Sequence, residues 1–189
     1  MALPTDADQE VASWIAAGTP PICFTFGSML MESPADTIAM IGEACAQLGE
    51  RALVCGGLGD FSKVPYAEHV KVVGTMNYTQ IFPTCRAVVH HGGAGTVAAG
   101  LRAGVPTLIL WAAPDRQMWG ALTKRLKVGT TRRFSNTTVG SLVADLRRIL
   151  TPQYVARARE VATRMTKPAE SVSATADLVE EFARLGRVS

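Results

Sequence analysis

A chain of 189 residues that is 48% hydrophobic and 19% charged has the composition of a globular domain with a substantial core, which excludes disordered and fibrous classes. Its formal net charge of +3 rests on scattered basic residues, which suits a small anionic ligand and not a nucleic-acid stripe. No apolar run reaches bilayer length, and the first ten residues are too polar for a signal peptide.

In chain order, residues 1–20 read as a linker-like lead-in. Asp6 or Asp8 caps a short amphipathic helix through Val11, Trp14 and Ile15 that Gly18 ends, with Trp14 as an apolar anchor. After Pro20-Pro21, the run Ile22-Cys23-Phe24-Thr25-Phe26 predicts a first strand that ends at Gly27-Ser28-Met29. Ser33 and Pro34 predict an N-cap and first-turn proline for a helix that buries Ile38, Ile41, Ala44, Cys45 and Leu48 and stops at Gly49. Residues 52–55 and 70–73 predict the second and third strands. Asn77 predicts a cap for a short helix that Pro83 terminates, and residues 87–89 and 107–110 predict two more buried strands. A helix through Met118, Leu122 and Leu126 precedes a short edge strand within residues 128–134. From Thr138 the pattern is helical only, over 138–150, 152–165 and 170–185, with charged faces that read as ordinary solvated ones. Cys23, Cys45, Cys55 and Cys85 lack C-x-x-C spacing and read as buried thiols of a reducing cytoplasm.

Strands alternating with helices predict an α/β fold. It is a Rossmann-like parallel sheet of about six strands with helices on both faces and a helical carboxyl-terminal segment. Loops rich in Gly, Ser, His and Asp, at 27–29, 56–61, 74–77, 90–96 and 111–117, then share the carboxyl edge, where such sheets bind ligands.

The chemistry concentrates in His90-His91-Gly92-Gly93-Ala94-Gly95-Thr96, followed by an alanine-rich helix predicted over 96–103 and closed by Gly104 and Pro106. Strand, glycine turn and helix offer backbone N–H groups and the positive end of a helix dipole to an anion. Two motifs fit this turn. Gly93-Ala94-Gly95-Thr96-Val97-Ala98 matches the dinucleotide pattern G-x-G-x-x-G/A with Asp115 near the place of its ribose acid, the reading of an NAD(P)-binding oxidoreductase domain. That fingerprint usually opens its domain, whereas at least two strands precede this turn, and His91 would crowd a pyrophosphate. Read with His91, the unit His91-Gly92-Gly93-Ala94-Gly95-Thr96 closely resembles the donor-phosphate signature His-x-Gly-x-(Gly/Asn)-(Ser/Thr) of the two-domain nucleotide-sugar glycosyltransferases. These form the UDP-glycosyltransferase superfamily, of GT-B type. The bacterial antibiotic, glycolipid and sterol glycosyltransferases, with His-His-Gly-Gly-Ala-Gly-Thr, resemble it most.

The resemblance covers residues 21 to about 185 and implies that 21–189 form the carboxyl-terminal, nucleotide-sugar-binding domain of such an enzyme, with a UDP- or TDP-sugar as donor. It implies that the amides of Gly93, Ala94, Gly95 and Thr96 hold the distal phosphate and that His91 stabilises charge on the leaving group. Gly27 and Ser28 resemble the Gly-Ser pair aimed at the phosphates, and Met76 lies in the base-recognition segment, which here has no aromatic platform. Asp115 corresponds to the acid of an Asp-Gln pair that grips the sugar. Here Arg116 stands between Asp115 and Gln117, which leaves the sugar open and brings a deoxysugar into range. Ala99 occupies the place where many plant relatives have a ribose-binding Glu. The acceptor domain and its general-base histidine have no counterpart, so no catalytic base is expected in this chain. An excised domain fits this better than a natural donor subunit working with a separate acceptor subunit. The implied reaction is inverting transfer of a hexose or deoxyhexose to a small-molecule or lipid acceptor, without a cofactor or metal. The implied location is cytoplasmic, at the membrane surface if the acceptor is a lipid.

Overall fold

The computed structural model describes residues 6–27, 29, 32–56 and 64–185. Six strands, β1 (Ile22–Thr25), β2 (Ala52–Cys55), β3 (Val70–Val73), β4 (Ala87–His90), β5 (Thr107–Trp111) and β6 (Gly129–Arg133), form one sheet in the order β3-β2-β1-β4-β5-β6. Every neighbouring pair is parallel. The order runs outward in both directions from the β1–β4 pair, which makes that pair the topological switch point of a doubly wound sheet. The central strands β1, β2 and β4 are buried at every position, as strands covered on both faces must be.

Alternation along the strands divides the core between the two faces. Ile22, Phe24, Val54 and Val89 pack toward α2 (Pro34–Leu48) and α6 (Val139–Ile149), which supply Ile41, Leu142 and Leu146. Cys23, Leu53 and Val88 face the other way, against Val11 of α1 (Asp6–Ala16), Ile81 of α3 (Tyr78–Ile81) and Phe82. Val97 and Leu101 of α4 (Ala94–Ala103) join Ile109, Val128 and the α7 (Pro152–Ala162) residues Ala158 and Val161 in a third cluster. Between these lie α5 (Gln117–Leu126) and, at the end, α8 (Pro168–Leu185).

The boundaries follow local chemistry. Ser33 Oγ accepts the Asp36 N–H at 3.3 Å to start α2, and Gly49 ends it with φ 66°. Thr138 and Ser141 exchange hydrogen bonds in a capping box at the start of α6. A Cβ at Gly129 would lie 2.0 Å from the Thr107 carbonyl oxygen, so only glycine lets β6 close on β5 there.

Three expectations need correction. Pro83 does not stop the chain's helical course, because the backbone tightens into a 3-10 turn over Phe82–Thr84, in which proline occupies an early position. The helix after the glycine turn begins at Ala94, two residues earlier than predicted, with Gly93 as N-cap. Gly95 argues against helix by propensity, yet packing of Val97 and Leu101 sets the helix start. Trp14 is more than an apolar anchor, since the Arg51 guanidinium lies 3.6 Å from its ring centroid and donates to the Trp14 carbonyl at 2.6 Å. All four cysteines are buried, as expected. The loop predicted over 56–61 lies outside the described residues beyond Gly56, as does Ser28.

Candidate functional site

The site is built where β4 ends. Gly92 turns with φ 91° and Gly93 is extended, so α4 points its first turn back across the carboxyl edge. Val97 is the first residue of α4 to bond along the helix, to the Gly93 carbonyl at 2.9 Å. The amides of Ala94, Gly95 and Thr96 therefore have no acceptor within the helix, the usual condition of a helix start. Ala94 and Gly95 are exposed, whereas Thr96 is buried. They stand on the positive end of the α4 dipole, where a negative charge would be favoured.

His91 occupies the middle of the turn and is 6% exposed. A Cβ on Gly27 would lie 2.5 Å from His91 Cε1, and a Cβ on Gly93 would lie 2.7 Å from His91 Nε2. The imidazole is thus wedged between the loop after β1 and its own turn, across the β1–β4 switch point. This revises the expected reason for the glycines. Gly27, with φ 55°, and Gly93 make room for the ring. Of the three glycines of the turn, Gly92, Gly93 and Gly95, it is Gly95 that opens onto free space, with nothing within 4 Å of its added Cβ. His91 Nδ1 is buried without a hydrogen-bond partner among the described residues.

His90 is different from its neighbour. It is fully buried, and its Nδ1 accepts the Gly92 N–H at 3.0 Å. Burial pushes its pKa down to about 3, so it is a neutral imidazole protonated on Nε2. The two rings stand 6.4 Å apart at 82°. Strand alternation gives the two adjacent rings different surroundings: His90 accepts from Gly92, whereas His91 lies against Gly27 and Gly93.

The loop after β5 closes the other side. A Cβ on Gly92 would lie 3.1 Å from Arg116 Cβ, so the 3-10 turn Pro114–Arg116 leans directly on the glycine turn. Asp115 stands at the rim, its side chain 77% exposed and 4.0 Å from Arg116 Nε. Gln117 is exposed and lines a neighbouring groove of about 550 Å³ with Trp111, Lys124, Arg133 and Arg148, over the edge strand β6. On the β1 side, a cavity of about 430 Å³ runs past Met29, Asp36, Ala112 and Phe134. Gly27, His91, Gly93 and Arg116 are therefore brought together, with Asp115 beside them and Gln117 facing the adjoining groove.

Met76 is half-buried and packs on the cluster that holds Leu53, Val88 and Phe82, which leaves only part of it to meet a ligand. Sequence reasoning missed Tyr78. Its ring stacks on Phe82 with centroids 4.7 Å apart, and its hydroxyl lies 2.5 Å from Thr25 Oγ1 at the end of β1. Burial pushes the Tyr78 phenol well above its ordinary pKa. An Asn cap followed by a tyrosine was the available signal, but nothing local showed that β1 lay within reach. Among the described residues, no three His, Cys, Asp or Glu side chains gather to hold a metal ion. None of the described helices is long and apolar enough to cross a membrane.

Fold and site together define a doubly wound α/β domain in which a glycine turn, a helix start and a buried imidazole meet at the strand switch point. The chain belongs to the family of Erythromycin biosynthesis protein CIII-like carboxyl-terminal domains, which it matches over residues 47–182. This family lies within the UDP-glycosyltransferase superfamily that the glycine motif resembles. An uncharacterized glycosyltransferase of Mycobacterium tuberculosis is 65% identical over 183 residues, which are 97% of this chain and 44% of that protein. A sterol 3-beta-glucosyltransferase of Arabidopsis thaliana is 35% identical over 181 residues, 93% of this chain and 28% of that protein. The glycosyltransferase VinC, solved in complex with DTDP, shares the fold with a TM-score of 0.72 at 22% identity, over 96% of this chain and 45% of that one. The chain thus spans less than half the length of these relatives. The dinucleotide reading of Gly93 to Ala98 is disfavoured by topology, because that fingerprint occupies the first strand–helix turn and this one follows β4.

Proposed function

We propose that this chain is the donor-binding half of an inverting glycosyltransferase, which takes a UDP- or TDP-sugar and passes a hexose or deoxyhexose to a small-molecule or lipid acceptor. The observation that carries this reading is the His91 ring held between Gly27 and Gly93 beside the open amides of α4. A departing nucleoside diphosphate gains negative charge as the sugar leaves. Fixed N–H donors and an imidazole aimed at that charge lower the barrier more than they tighten substrate binding. The amides of Ala94, Gly95 and Thr96 take the distal phosphate, His91 takes a further phosphate oxygen, Gly27 borders the β1 side, and Ser28 adds a hydroxyl donor for the phosphates. Asp115, with Arg116 beside it, meets the sugar hydroxyls, Gln117 reaches them from the adjoining groove, and Met76 borders the base.

The general base and the acceptor pocket belong to an amino-terminal half outside these 189 residues, so the chain alone binds donor without transferring it. No metal or cofactor takes part in this scheme. Val172, Val179 and Phe182 of α8 are each at least 63% exposed, an apolar stripe that such a second half would cover.

Calorimetry with UDP, TDP and GDP tests the reading. One of the first two should bind, and His91→Ala should weaken it by ~1–3 kcal/mol, the scale of a hydrogen bond to a charged group. Equal affinity in both proteins would remove His91 from the site. Failure of all three nucleotides would remove the donor reading.

A further inference from the structure

We propose that His90 is the positioning residue of the glycine turn: its Nδ1 accepts the Gly92 N–H and so holds the bend that aims the start of α4 at the anion. The inference rests on the donor-binding reading of that turn and adds a task for the histidine that the reading leaves without one.

The bend has to be held by something. Gly92 is buried, so an N–H without an acceptor there would be left desolvated. Its φ of 91° also lies outside the conformations that side-chain-bearing residues prefer. His90 Nδ1 supplies the acceptor at 3.0 Å. An imidazole that accepts through Nδ1 carries its proton on Nε2, and Nε2 has no hydrogen-bond partner among the described residues. A leucine of similar size would avoid burying that N–H. Core packing therefore gives no reason for a histidine here, whereas the turn does.

The strand register extends the argument. His90 lies opposite Thr25, and Thr25 lies opposite Cys55, so three polar side chains share one row across the ends of β4, β1 and β2. Thr25 Oγ1 meets the Tyr78 hydroxyl, and Cys55 Sγ donates to the Gly74 carbonyl at 3.5 Å. One end of the row fixes the turn at Gly74 and the other fixes the turn at Gly92. Both turns border the proposed nucleotide.

His90→Leu and His90→Asn separate positioning from packing. The Asn side chain can accept from the N–H two residues on, as in an Asx-turn, whereas Leu cannot. The expected result is TDP affinity within about threefold of the parent for His90→Asn and a loss of about tenfold for His90→Leu. His90→Leu orphans the Gly92 N–H but also removes the unpaired Nε2–H, so its Tm at neutral pH should stay within ~4 °C of the parent's. Two readouts need no nucleotide. Nitrogen NMR of the parent should show His90 protonated on Nε2 and bare on Nδ1, and Gly92 amide exchange should quicken about tenfold in His90→Leu alone. A proton on Nδ1, or unchanged Gly92 exchange in a folded His90→Leu, would overturn the proposal, as would equal losses of affinity in both variants. If the parent binds neither TDP nor UDP, the donor reading fails, and the tautomer and the Gly92 exchange still decide the role of His90.

Discussion

Mild acid should destabilise this chain through His90. Burial alone carries the His90 pKa from its ordinary 6.5 down to about 3. The unfolded chain takes up a proton near the ordinary value, while the folded chain refuses it until the pH is far lower. The stabilisation is therefore whole above the unfolded pKa and drains away as pH falls toward the folded one. Each pH unit in that window costs ~1.4 kcal/mol. Between about pH 7.5 and about pH 5 the loss is ~2 kcal/mol, and it approaches ~5 kcal/mol at the lower limit. For a chain of this length, ~2 kcal/mol lowers Tm by ~4–8 °C. Urea unfolding of the parent and of His90→Leu at the two pH values isolates the effect. His69, whose Nε2 lies 2.9 Å from the Gly42 carbonyl oxygen, and His91 are present in both proteins and cancel in the difference. The parent should lose ~2 kcal/mol more than the variant. Parallel losses in the two proteins would refute the claim that His90 is held neutral.

Other perturbations test neighbouring parts. Gly95→Ala adds a methyl with nothing within 4 Å, so it should raise stability by up to ~1 kcal/mol while weakening TDP binding in calorimetry. Unaltered affinity would show that the phosphate does not approach that amide. Gly27→Ala places a Cβ on the His91 ring at a left-handed backbone position, so it should cost ~1–3 kcal/mol in urea unfolding and lower TDP affinity together. Gly129→Ala brings a Cβ onto the Thr107 carbonyl oxygen and should lower Tm by more than ~6 °C, since the backbone itself must move. Asp145→Ala strands Arg132, whose Nε donates to Asp145 at 2.6 Å, and should cost ~1–2 kcal/mol, with Asp145→Asn milder because an acceptor remains.

The strand and helix sequence was legible because each signal was local. β2 and β3 fall on the predicted residues, Ser33 and Gly49 bound α2 as their chemistry demands, and the glycine turn between β4 and α4 was marked by its own seven residues. Packing outweighed propensity at the start of α4, whereas at Pro83 the α-helix gave way to a 3-10 turn that accepts an early proline. The candidate site was legible as a set of loops but not as an arrangement. Nothing near Gly27 in sequence says that a histidine 64 positions later fills the space beside it. The same is true of Arg116 against Gly92 and Tyr78 against Thr25.

Sequence by itself determined the fold class, the family and the position of the glycine turn that carries the family motif. Periodicity, caps and glycine spacing all act over a few residues. Tertiary structure decided which of two adjacent histidines packs between Gly27 and Gly93 and which accepts the Gly92 N–H. It also decided which glycines make room for a ring and which one stays open. Those choices depend on burial and on contacts between distant strands. They exist only once the sheet has brought β1, β4 and β5 side by side.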